Sequence, residues 1–213
     1  MLTIWGRKSS SNVQSVMWCV AELGLDHRRL DVGHKYRGND TPEFLAMNPN
    51  GLIPVLRDDD DEPLWESAAI LRYLAARYGD DAFWPRDARA RAQIDKWAEW
   101  GKLNVAMEVN RGLFSPIVRT APNRRNEAAI AAALQSIART LAIAERQIAA
   151  HSFLCGDAFT LADIQFGHIL FRYFDLPLDR PDTPVVRRYY DRLCARPAYR
   201  EHVMVSYAEL RVL

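Results

Sequence analysis

Short apolar segments alternate with helical periods in the first 80 residues. Residues 12–23 place their apolar side chains on one helical face, residues 67–78 do the same, and residues 41–45 predict a shorter helix. A helix between the first two strand-like segments predicts a crossover connection, so these two strands are expected to be parallel. The four predicted strands are 2–5, 27–32, 52–56 and 63–65.

The pattern changes after this α/β region. Strand-like alternation disappears and long amphipathic periods take its place, which predicts an all-helical region. Residues 81–86 separate the two patterns as a linker, so the expected domains are 1–80 and 87–213. Thr160 and Asp163 have the spacing of a capping box, in which two side chains satisfy free N–H groups at a helix start. The predicted helices are about 88–113, 126–150, 161–174 and 185–195.

Composition and charge narrow the class of protein. The chain has 213 residues, of which 49% are hydrophobic and 26% charged, with a formal net charge of +1. These proportions indicate a soluble globular protein, and the absence of a basic stripe argues against a nucleic-acid partner. No apolar run approaches the roughly 20 residues that span a bilayer, and the N-terminus lacks the pattern of a signal peptide. We therefore expect no membrane partner.

Cysteine and histidine usage points to a reducing compartment without a metal centre. Cys19, Cys155 and Cys194 are widely spaced and form no C-x-x-C pair, which favours the cytoplasm. The five histidines show no metal-ligand spacing, so no metal is expected. The acidic run 58–62 is consecutive, which is typical of a charged hairpin tip and not of a metal site.

Four segments carry a more specific signal. They are a Ser-Ser-Ser-Asn loop, an Asn-Pro-Asn-Gly-Leu-Ile-Pro-Val-Leu segment, a Trp-Glu-Ser-Ala-Ala-Ile junction and a late Phe-Thr-Leu-Ala-Asp-Ile segment. In this order they resemble the cytosolic glutathione S-transferase family, in its Ser-type, bacterial-like form, over essentially the whole chain. The resemblance implies an α/β thioredoxin-like N-terminal domain and an all-α C-terminal domain. The segments lie at 9–12, 48–56, 65–70 and 159–164.

The serine loop supplies the expected chemistry. A helix N-terminus presents unpaired N–H groups and the positive end of the helix dipole, and both lower the pKa of a nearby thiol. The loop contains no cysteine, so the thiol must arrive on a ligand, and glutathione fits. The family's spacing selects Ser10 as the catalytic hydroxyl. Ser11 is the alternative and Asn12 a second donor, and Ser11 or Asn12 is also expected to cap the helix.

The resemblance also implies a glutathione-binding set. Pro54 matches the family's cis-proline, which would turn the backbone of Ile53, beside Leu52, towards the cysteinyl part of glutathione. An edge-strand proline is the alternative. Glu66 would face the γ-glutamyl ammonium group, and the helix that starts near Ser67 would receive the γ-glutamyl carboxylate. Ser67 is also expected to cap that helix.

One position departs from the family's pattern. Many relatives carry His or Lys where this chain has Gly51, and that side chain meets the glycyl carboxylate of glutathione. Here another cation is needed. His34, Lys35 and Arg37, in the loop after the second strand, are the candidates.

The second substrate is expected between the small domain and the first long helix. Residues about one turn apart on that helix would share a face. Arg111 is the candidate for an anionic co-substrate or for the glycyl carboxylate, and a solvated surface arginine is the equal alternative. Met107 is more typical of a core residue. The expected face consists of Asn104, Met107, Glu108 and Arg111.

The sequence therefore predicts a glutathione transferase that activates the glutathione thiolate for attack on an electrophilic, largely apolar substrate. A glutathione-dependent disulfide reductase would use the same site, and a non-catalytic binding module would keep the fold without the chemistry. The resemblance further implies a homodimer, and fold resemblance alone does not fix the reaction.

Overall fold

The computed structural model describes residues 1–212 and begins with a mixed four-stranded sheet. Its strands are β1 (Leu2–Trp5), β2 (His27–Leu30), β3 (Val55–Asp58) and β4 (Leu64–Trp65). In the order β2-β1-β3-β4, β1 and β2 are parallel, and β3 is antiparallel to both β1 and β4. The predicted parallel pair and the predicted hairpin are confirmed.

The helices of the sheet unit are α1 (Ser11–Glu22), α2 (Pro42–Met47) and α3 (Ser67–Tyr78). The apolar face of α1 packs against α3, and Val16 and Leu71 are fully buried. Ile4 of β1 and Leu56 of β3 are also fully buried in this core. The sheet unit thus buries its apolar faces in the way that the alternating pattern predicts.

The rest of the described chain is helical. Its α-helices are α4 (Ala88–Trp100), α5 (Ser115–Val118), α6 (Glu127–Ile148), α7 (Leu161–Gly167), α8 (Leu170–Asp175), α9 (Pro184–Cys194) and α10 (Pro197–His202). Between α4 and α5 the chain stays helical but winds as π-helix over Gly101–Ala106 and again over Val109–Phe114. Helical winding with i→i+5 hydrogen bonds is rare in proteins, and where it does occur it is often at a functional site.

Helix α7 lies at the centre of the helical region, and all seven of its residues are buried. Thr160 and Asp163 form the predicted capping box at its start, with Asp163 Oδ2 accepting from Thr160 N at 2.8 Å. Gly167 allows α7 to approach the sheet unit closely, because a Cβ there would lie 3.1 Å from Trp18 of α1. The two units therefore share one continuous core.

Helix α6 has the length and the mean hydropathy, 1.2 over 18 residues, that a membrane-spanning helix needs. Its large apolar residues repeat at helical spacing along one buried stripe, which consists of Ile130, Leu134, Ile137, Leu141 and Ile148. Packing against the helical core, including α9, accounts for this stripe.

Several predicted boundaries differ from the observed ones. The strand predicted at 52–56 begins at Val55, because Pro54 has no N–H to donate to the sheet. The helix predicted at 161–174 is divided between α7 and α8 near His168. There the carbonyl of Ile164 accepts from both the backbone N–H and the ring of His168.

Candidate functional site

A cavity of about 380 Å³ lies between the sheet unit and the helical region. This volume falls within the range of about 300–1,000 Å³ that is typical of small-molecule sites. The sheet-side wall is formed by Ser11, Asn12, Leu52 and Glu66. The helical wall is formed by Lys102, Ala106, Met107, Asn110, Arg111, Gln165 and His168.

The serine loop reaches this cavity through Ser11 and Asn12, whereas Ser10 is not part of its lining. Helix α1 begins one residue earlier than predicted, because Gln14 N donates to Ser10 O at 2.8 Å and closes the first turn. Ser10 is therefore the N-cap residue, and its side chain makes no capping hydrogen bond. The expectation that Ser11 or Asn12 caps the helix is wrong. Both lie in the first turn, where N–H groups are free to meet a ligand.

Hydrogen bonds anchor the serine loop to the helical region. Asn110 Nδ2 donates to Ser11 Oγ at 3.0 Å, and Arg172 Nη1 donates to Asn110 Oδ1 at 2.8 Å. Arg172 Nη2 donates to the carbonyl oxygen of Ser9 at 2.7 Å. A hydroxyl group has one hydrogen and two lone pairs. Because Ser11 Oγ accepts from Asn110, its own hydrogen is available to a ligand in the cavity.

The segment before β3 has the predicted backbone. The Ile53–Pro54 peptide bond is cis, and Pro54 is buried. Leu52 is 62% exposed and lines the cavity, while Ile53 is half-buried and packs against the core. Asn48 supports the segment, since its Nδ2 donates to Leu52 O at 2.7 Å. The pairing of the Ile53 backbone with a ligand stays a prediction.

Glu66 lies at the junction of β4 and α3 in a left-handed backbone conformation, with φ of 68°. Such a conformation costs a residue other than glycine on the order of 1–3 kcal/mol, and residues strained in this way cluster at active sites and ligand sites. The Glu66 carboxylate lines the cavity and lies 3.6 Å from Lys102 Nζ. Glu66 is also the N-cap residue of α3, so the expectation that Ser67 caps this helix is wrong. Ser67 is buried as the first helical residue.

The structure explains why no basic side chain occupies position 51. Gly51 has φ of 62°, and a Cβ there would lie 3.0 Å from the carbonyl oxygen of Asn39. Asn39 Nδ2 also donates to Gly51 O at 2.8 Å, so the two segments are held close together. A His or Lys at this position would be strained by its backbone and crowded by Asn39.

The cations predicted to replace it lie outside the cavity lining. His34, Lys35 and Arg37 are all exposed. Lys35 Nζ pairs with Glu209 Oε2 at 2.7 Å, and Ser9 Oγ donates to the other carboxylate oxygen of Glu209. A role for these three cations in binding the glycyl carboxylate stays a prediction.

The helical wall contains half of its predicted residues. Met107 and Arg111 line the cavity, whereas Asn104 and Glu108 are exposed and do not. The prediction assumed α-helical winding of 3.6 residues per turn. The π-helical bonds instead join residues i and i+5, so the cavity face repeats about every four to five residues. This winding adds Lys102, Ala106 and Asn110 to the wall.

Two buried polar residues, Gln165 in α7 and His168 directly after it, were not predicted from the sequence. Gln165 is 1% exposed, and within residues 1–212 its Nε2 has no hydrogen-bond partner. His168 is 2% exposed, and its Nδ1 lies 3.1 Å from the carbonyl oxygen of Ile164. Burial, with the nearby charges of Arg172 and Lys102, lowers the pKa of His168 to about 4. The signal available in the sequence was two further polar residues, three apart, in a segment that is otherwise mostly apolar after the capping box.

Together the fold and the cavity define a class of protein: a thioredoxin-like α/β unit joined to an all-helical unit, with a small-molecule site between them. Two family profiles match the chain. One, for the glutathione S-transferase N-terminal domain, covers residues 9–77, and the other, for the C-terminal domain, covers residues 127–192. The chain belongs to the glutathione S-transferase family and is a glutathione transferase.

Individual relatives agree with this assignment. The chain is 38% identical to glutathione S-transferase GstB of Escherichia coli K12, over 96% of this chain and 99% of the relative. It is similar to a theta class glutathione S-transferase from Xanthomonas axonopodis pv. citri with glutathione bound, with a TM-score of 0.89 and 41% identity, over 96% of this chain and 98% of that one. It is also 33% identical to elongation factor 1-gamma 2 of Oryza sativa subsp. japonica, over 76% of this chain but 39% of that protein.

Proposed function

We propose that the cavity binds glutathione as a thiolate and directs it at a second, electrophilic substrate. The observation that carries this proposal is that Ser11 and Asn12, in the first turn of α1, share one cavity with Glu66. The similar protein from Xanthomonas, whose structure contains glutathione, supports the choice of ligand.

The chemistry follows from the position of α1. The sulfur lies at the positive end of the helix, with free N–H groups and the Ser11 hydroxyl as donors. These interactions favour the thiolate over the thiol and lower the thiol pKa towards the working pH. The thiol proton leaves to solvent. The sulfur then forms a new bond to an electrophilic carbon while the bond from that carbon to its leaving group breaks, and the leaving group departs to solvent with the electron pair. Asn12 is the second donor in this arrangement.

The rest of glutathione occupies the sheet-side wall and its neighbours. The cysteinyl backbone pairs with that of Ile53, between Leu52 and Pro54. The γ-glutamyl ammonium group faces the carboxylate of Glu66, and the γ-glutamyl carboxylate lies at the N-terminus of α3, next to Ser67. The placement of Glu66 on the cavity supports this orientation.

The second substrate meets the helical wall, which is more polar than the sequence analysis expected. Met107 and Ala106 supply apolar contacts, but Arg111, Gln165 and His168 line the same cavity. Among the residues that the structure describes, the buried Nε2 group of Gln165 has no hydrogen-bond partner, and such a group favours a ligand that accepts a hydrogen bond. The proposed electrophile therefore carries a polar group as well as an apolar part.

A wider organisation accompanies this proposal. Residues 1–80 form the glutathione-binding domain, 81–86 the linker and 87–213 the helical domain that completes the second-substrate site. The enzyme acts in detoxification, in the cytoplasm and as a homodimer, as is typical of its family.

A second candidate function is a non-catalytic binding module. The similarity to elongation factor 1-gamma 2, of which this chain matches only 39%, favours it. A glutathione-dependent disulfide reductase would use the same thiolate. Turnover of a mixed disulfide, compared with turnover of an alkylating electrophile, separates the reductase from the transferase.

Two serine variants test the central assignment. We expect Ser11→Ala to raise the pKa of the bound thiol, because it removes a donor on the cavity, whereas Ser10→Ala should leave it nearly unchanged. The pKa is read from thiolate absorbance during a pH titration, after calorimetry has shown that each variant binds glutathione. An effect confined to Ser10→Ala would return the role to the hydroxyl that the family's spacing selects. Glutathione binding without any thiolate would favour the non-catalytic module.

A further inference from the structure

Arg172, on α8, is a buried cation, and its hydrogen-bond partners within residues 1–212 are not carboxylates. Its side chain is 2% exposed, and its hydrogen bonds run to a carbonyl and to a carboxamide. Its guanidinium group also lies over the ring of Phe114, 4.0 Å from the centroid. Burial, with the charges of Arg119 and Arg7, lowers the pKa of Arg172 to about 9, so the group is still charged at neutral pH. Burying a charge is costly, so its contacts call for an explanation.

Both partners of Arg172 belong to the neighbourhood of the proposed thiolate. One is the carbonyl of Ser9, which lies in the serine loop 163 residues away in sequence. The other is the carboxamide of Asn110, in the second π-helical segment. The guanidinium group therefore joins the loop before α1 to the helical wall through two charge-assisted hydrogen bonds.

The contact with Asn110 decides the direction of the next hydrogen bond. Arg172 can only donate, so Asn110 must present Oδ1 to it and Nδ2 to the other side. Nδ2 in turn donates to Ser11 Oγ at 3.0 Å. Ser11 Oγ must then accept, which leaves the Ser11 hydrogen free to point into the cavity. The chain of donors fixes Ser11 as a donor towards a ligand.

We propose that Arg172 is a positioning residue for the transfer reaction, which orients Ser11 as a hydrogen-bond donor to the glutathione sulfur by way of Asn110. This inference rests on the proposed function. The same guanidinium group holds the serine loop through the Ser9 carbonyl, so that the loop and the hydroxyl are positioned together. A purely structural tie between the two units is the competing explanation.

The variant Asn110→Asp separates these two explanations. A carboxylate keeps the shape of Asn110 and gives Arg172 a stronger partner, so the fold and the contact between the units are preserved. It has no N–H, however, so the Ser11 hydroxyl must turn and donate to it. We expect about a tenfold smaller thiolate fraction of bound glutathione at pH 7, and a similar fall in kcat. A structural tie alone predicts an unchanged thiolate fraction.

A double variant controls for the added negative charge. In a Ser11→Ala background the Asn110→Asp change should have little further effect on the thiolate fraction, because the hydroxyl through which it acts is absent. If Asn110→Asp lowers the thiolate fraction equally in both backgrounds, its charge acts directly and the orientation of Ser11 is not the cause. That result would overturn the proposal.

Three arginine variants complete the test. Arg172→Lys keeps the charge but loses the fork that spans Ser9 and Asn110, so it should lower the thiolate fraction less than Arg172→Met. Arg180→Met is the matched control, since Arg180 donates to backbone carbonyls, including Tyr173 O at 2.7 Å, away from the cavity lining. Arg180→Met should not change the thiolate fraction. If Arg172→Met does not fold, Asn110→Asp still decides the question.

The wild-type protein separates this proposal from the proposed function. If it binds glutathione as thiol only, the proposed thiolate chemistry fails, and the positioning role fails with it. If it forms the thiolate but Asn110→Asp and Arg172→Lys leave the thiolate fraction unchanged, the positioning role alone is wrong.

Discussion

The two walls of the cavity differ in how their residues reach it. The sheet-side wall is built from turns and element ends: the first turn of α1, the segment before β3 and the β4–α3 junction. The helical wall is built from the π-helical stretch and from α7. The position of a residue in a turn or at the end of an element is fixed by its immediate sequence neighbours. Which residues share a helical face depends instead on the number of residues per turn. A change of helical winding therefore changes which residues lie on the helical wall, but it does not change which residues lie on the sheet-side wall.

The walls also differ in polar satisfaction. On the sheet-side wall, Ser11 accepts from Asn110 and Glu66 lies near Lys102. On the helical wall, Gln165 has a buried N–H group that no residue of the described chain satisfies. A buried polar group without a hydrogen-bond partner destabilises a fold, so its presence beside a cavity indicates a ligand that pairs with it. We infer that the sheet-side wall is arranged to bind glutathione. On the helical wall, we infer that the second substrate supplies the hydrogen-bond acceptor for Gln165.

The largest expected effect concerns acid stability, through His168 of the helical wall. Burial lowers the pKa of His168 to about 4, so the unfolded chain binds a proton more readily between pH 6.5 and 4. His168 therefore has little effect on the free energy of unfolding above pH 6.5. As the pH falls from 6.5 to below 4, protonation of His168 in the unfolded chain lowers the free energy of unfolding by about 3 kcal/mol in total. Denaturant unfolding at pH 7 and pH 5 should show a smaller acid loss in His168→Gln than in the wild type. The exposed His151→Gln is the control, and equal losses in all three proteins would exclude His168 as the cause.

The next effect concerns glutathione affinity, through Glu66 of the sheet-side wall. Glu66→Gln keeps the size of the side chain but removes the charge that we propose faces the γ-glutamyl ammonium group. A charge-assisted hydrogen bond is worth about 1.5–3 kcal/mol, so we expect affinity to fall about 10- to 100-fold in calorimetric titration. Glu62→Gln, at the exposed hairpin tip, makes the same charge change away from the cavity lining and should bind normally. Unaltered affinity in Glu66→Gln would disprove the γ-glutamyl assignment.

A third effect tests why the family's basic residue is missing. Gly51→Lys places a side chain at a φ of 62° and close to Asn39 O. The backbone strain alone costs roughly 1–2 kcal/mol, and we expect a loss of stability of at least this size in chemical denaturation. A stable Gly51→Lys variant with tighter glutathione binding would show that the loop accommodates the missing cation after all. Gly24→Lys, also at positive φ but in open space, isolates the cost of the backbone conformation.

The smallest effect concerns Glu209, which ties the serine loop to Lys35. Burial acts to raise the pKa of Glu209, but hydrogen bonds from Lys35 and Ser9 outweigh it and hold the pKa below its usual value. Its contribution to stability is therefore present at neutral pH and is lost as the pH falls through the lowered pKa. Glu209→Gln should lower stability at pH 7 by less than about 1 kcal/mol, and the difference from the wild type should vanish in strong acid. A difference that persists there would contradict the ion-pair origin.

The difference between the two walls also explains which features of the fold and of the site could be predicted from the sequence. The sheet unit, the capping box of Thr160 and Asp163 and the cis bond before Pro54 are all found as expected, because each depends on local residues. Asn104 and Glu108 do not line the cavity, because the helix there has π-helical winding, which depends on tertiary packing and leaves no clear local signal. A role for them with the second substrate stays a prediction. Asn110 and Arg172 were missed for a related reason.

The contacts of Asn110 and Arg172 with the serine loop join residues that are far apart in sequence. A single sequence shows no periodicity for such contacts. The boundary of α1 had a similar cause. A helix start is uncertain by a residue or two when several capping residues follow one another, and this shift decided whether Ser10 or Ser11 lies on the cavity.

The most direct test of the account is a pH titration of thiolate absorbance for glutathione bound to the wild-type enzyme. We expect saturable binding and a thiol pKa well below that of free glutathione, since the N-terminus of α1 and the Ser11 hydroxyl both favour the anion. Bound glutathione that titrates like the free thiol would contradict it.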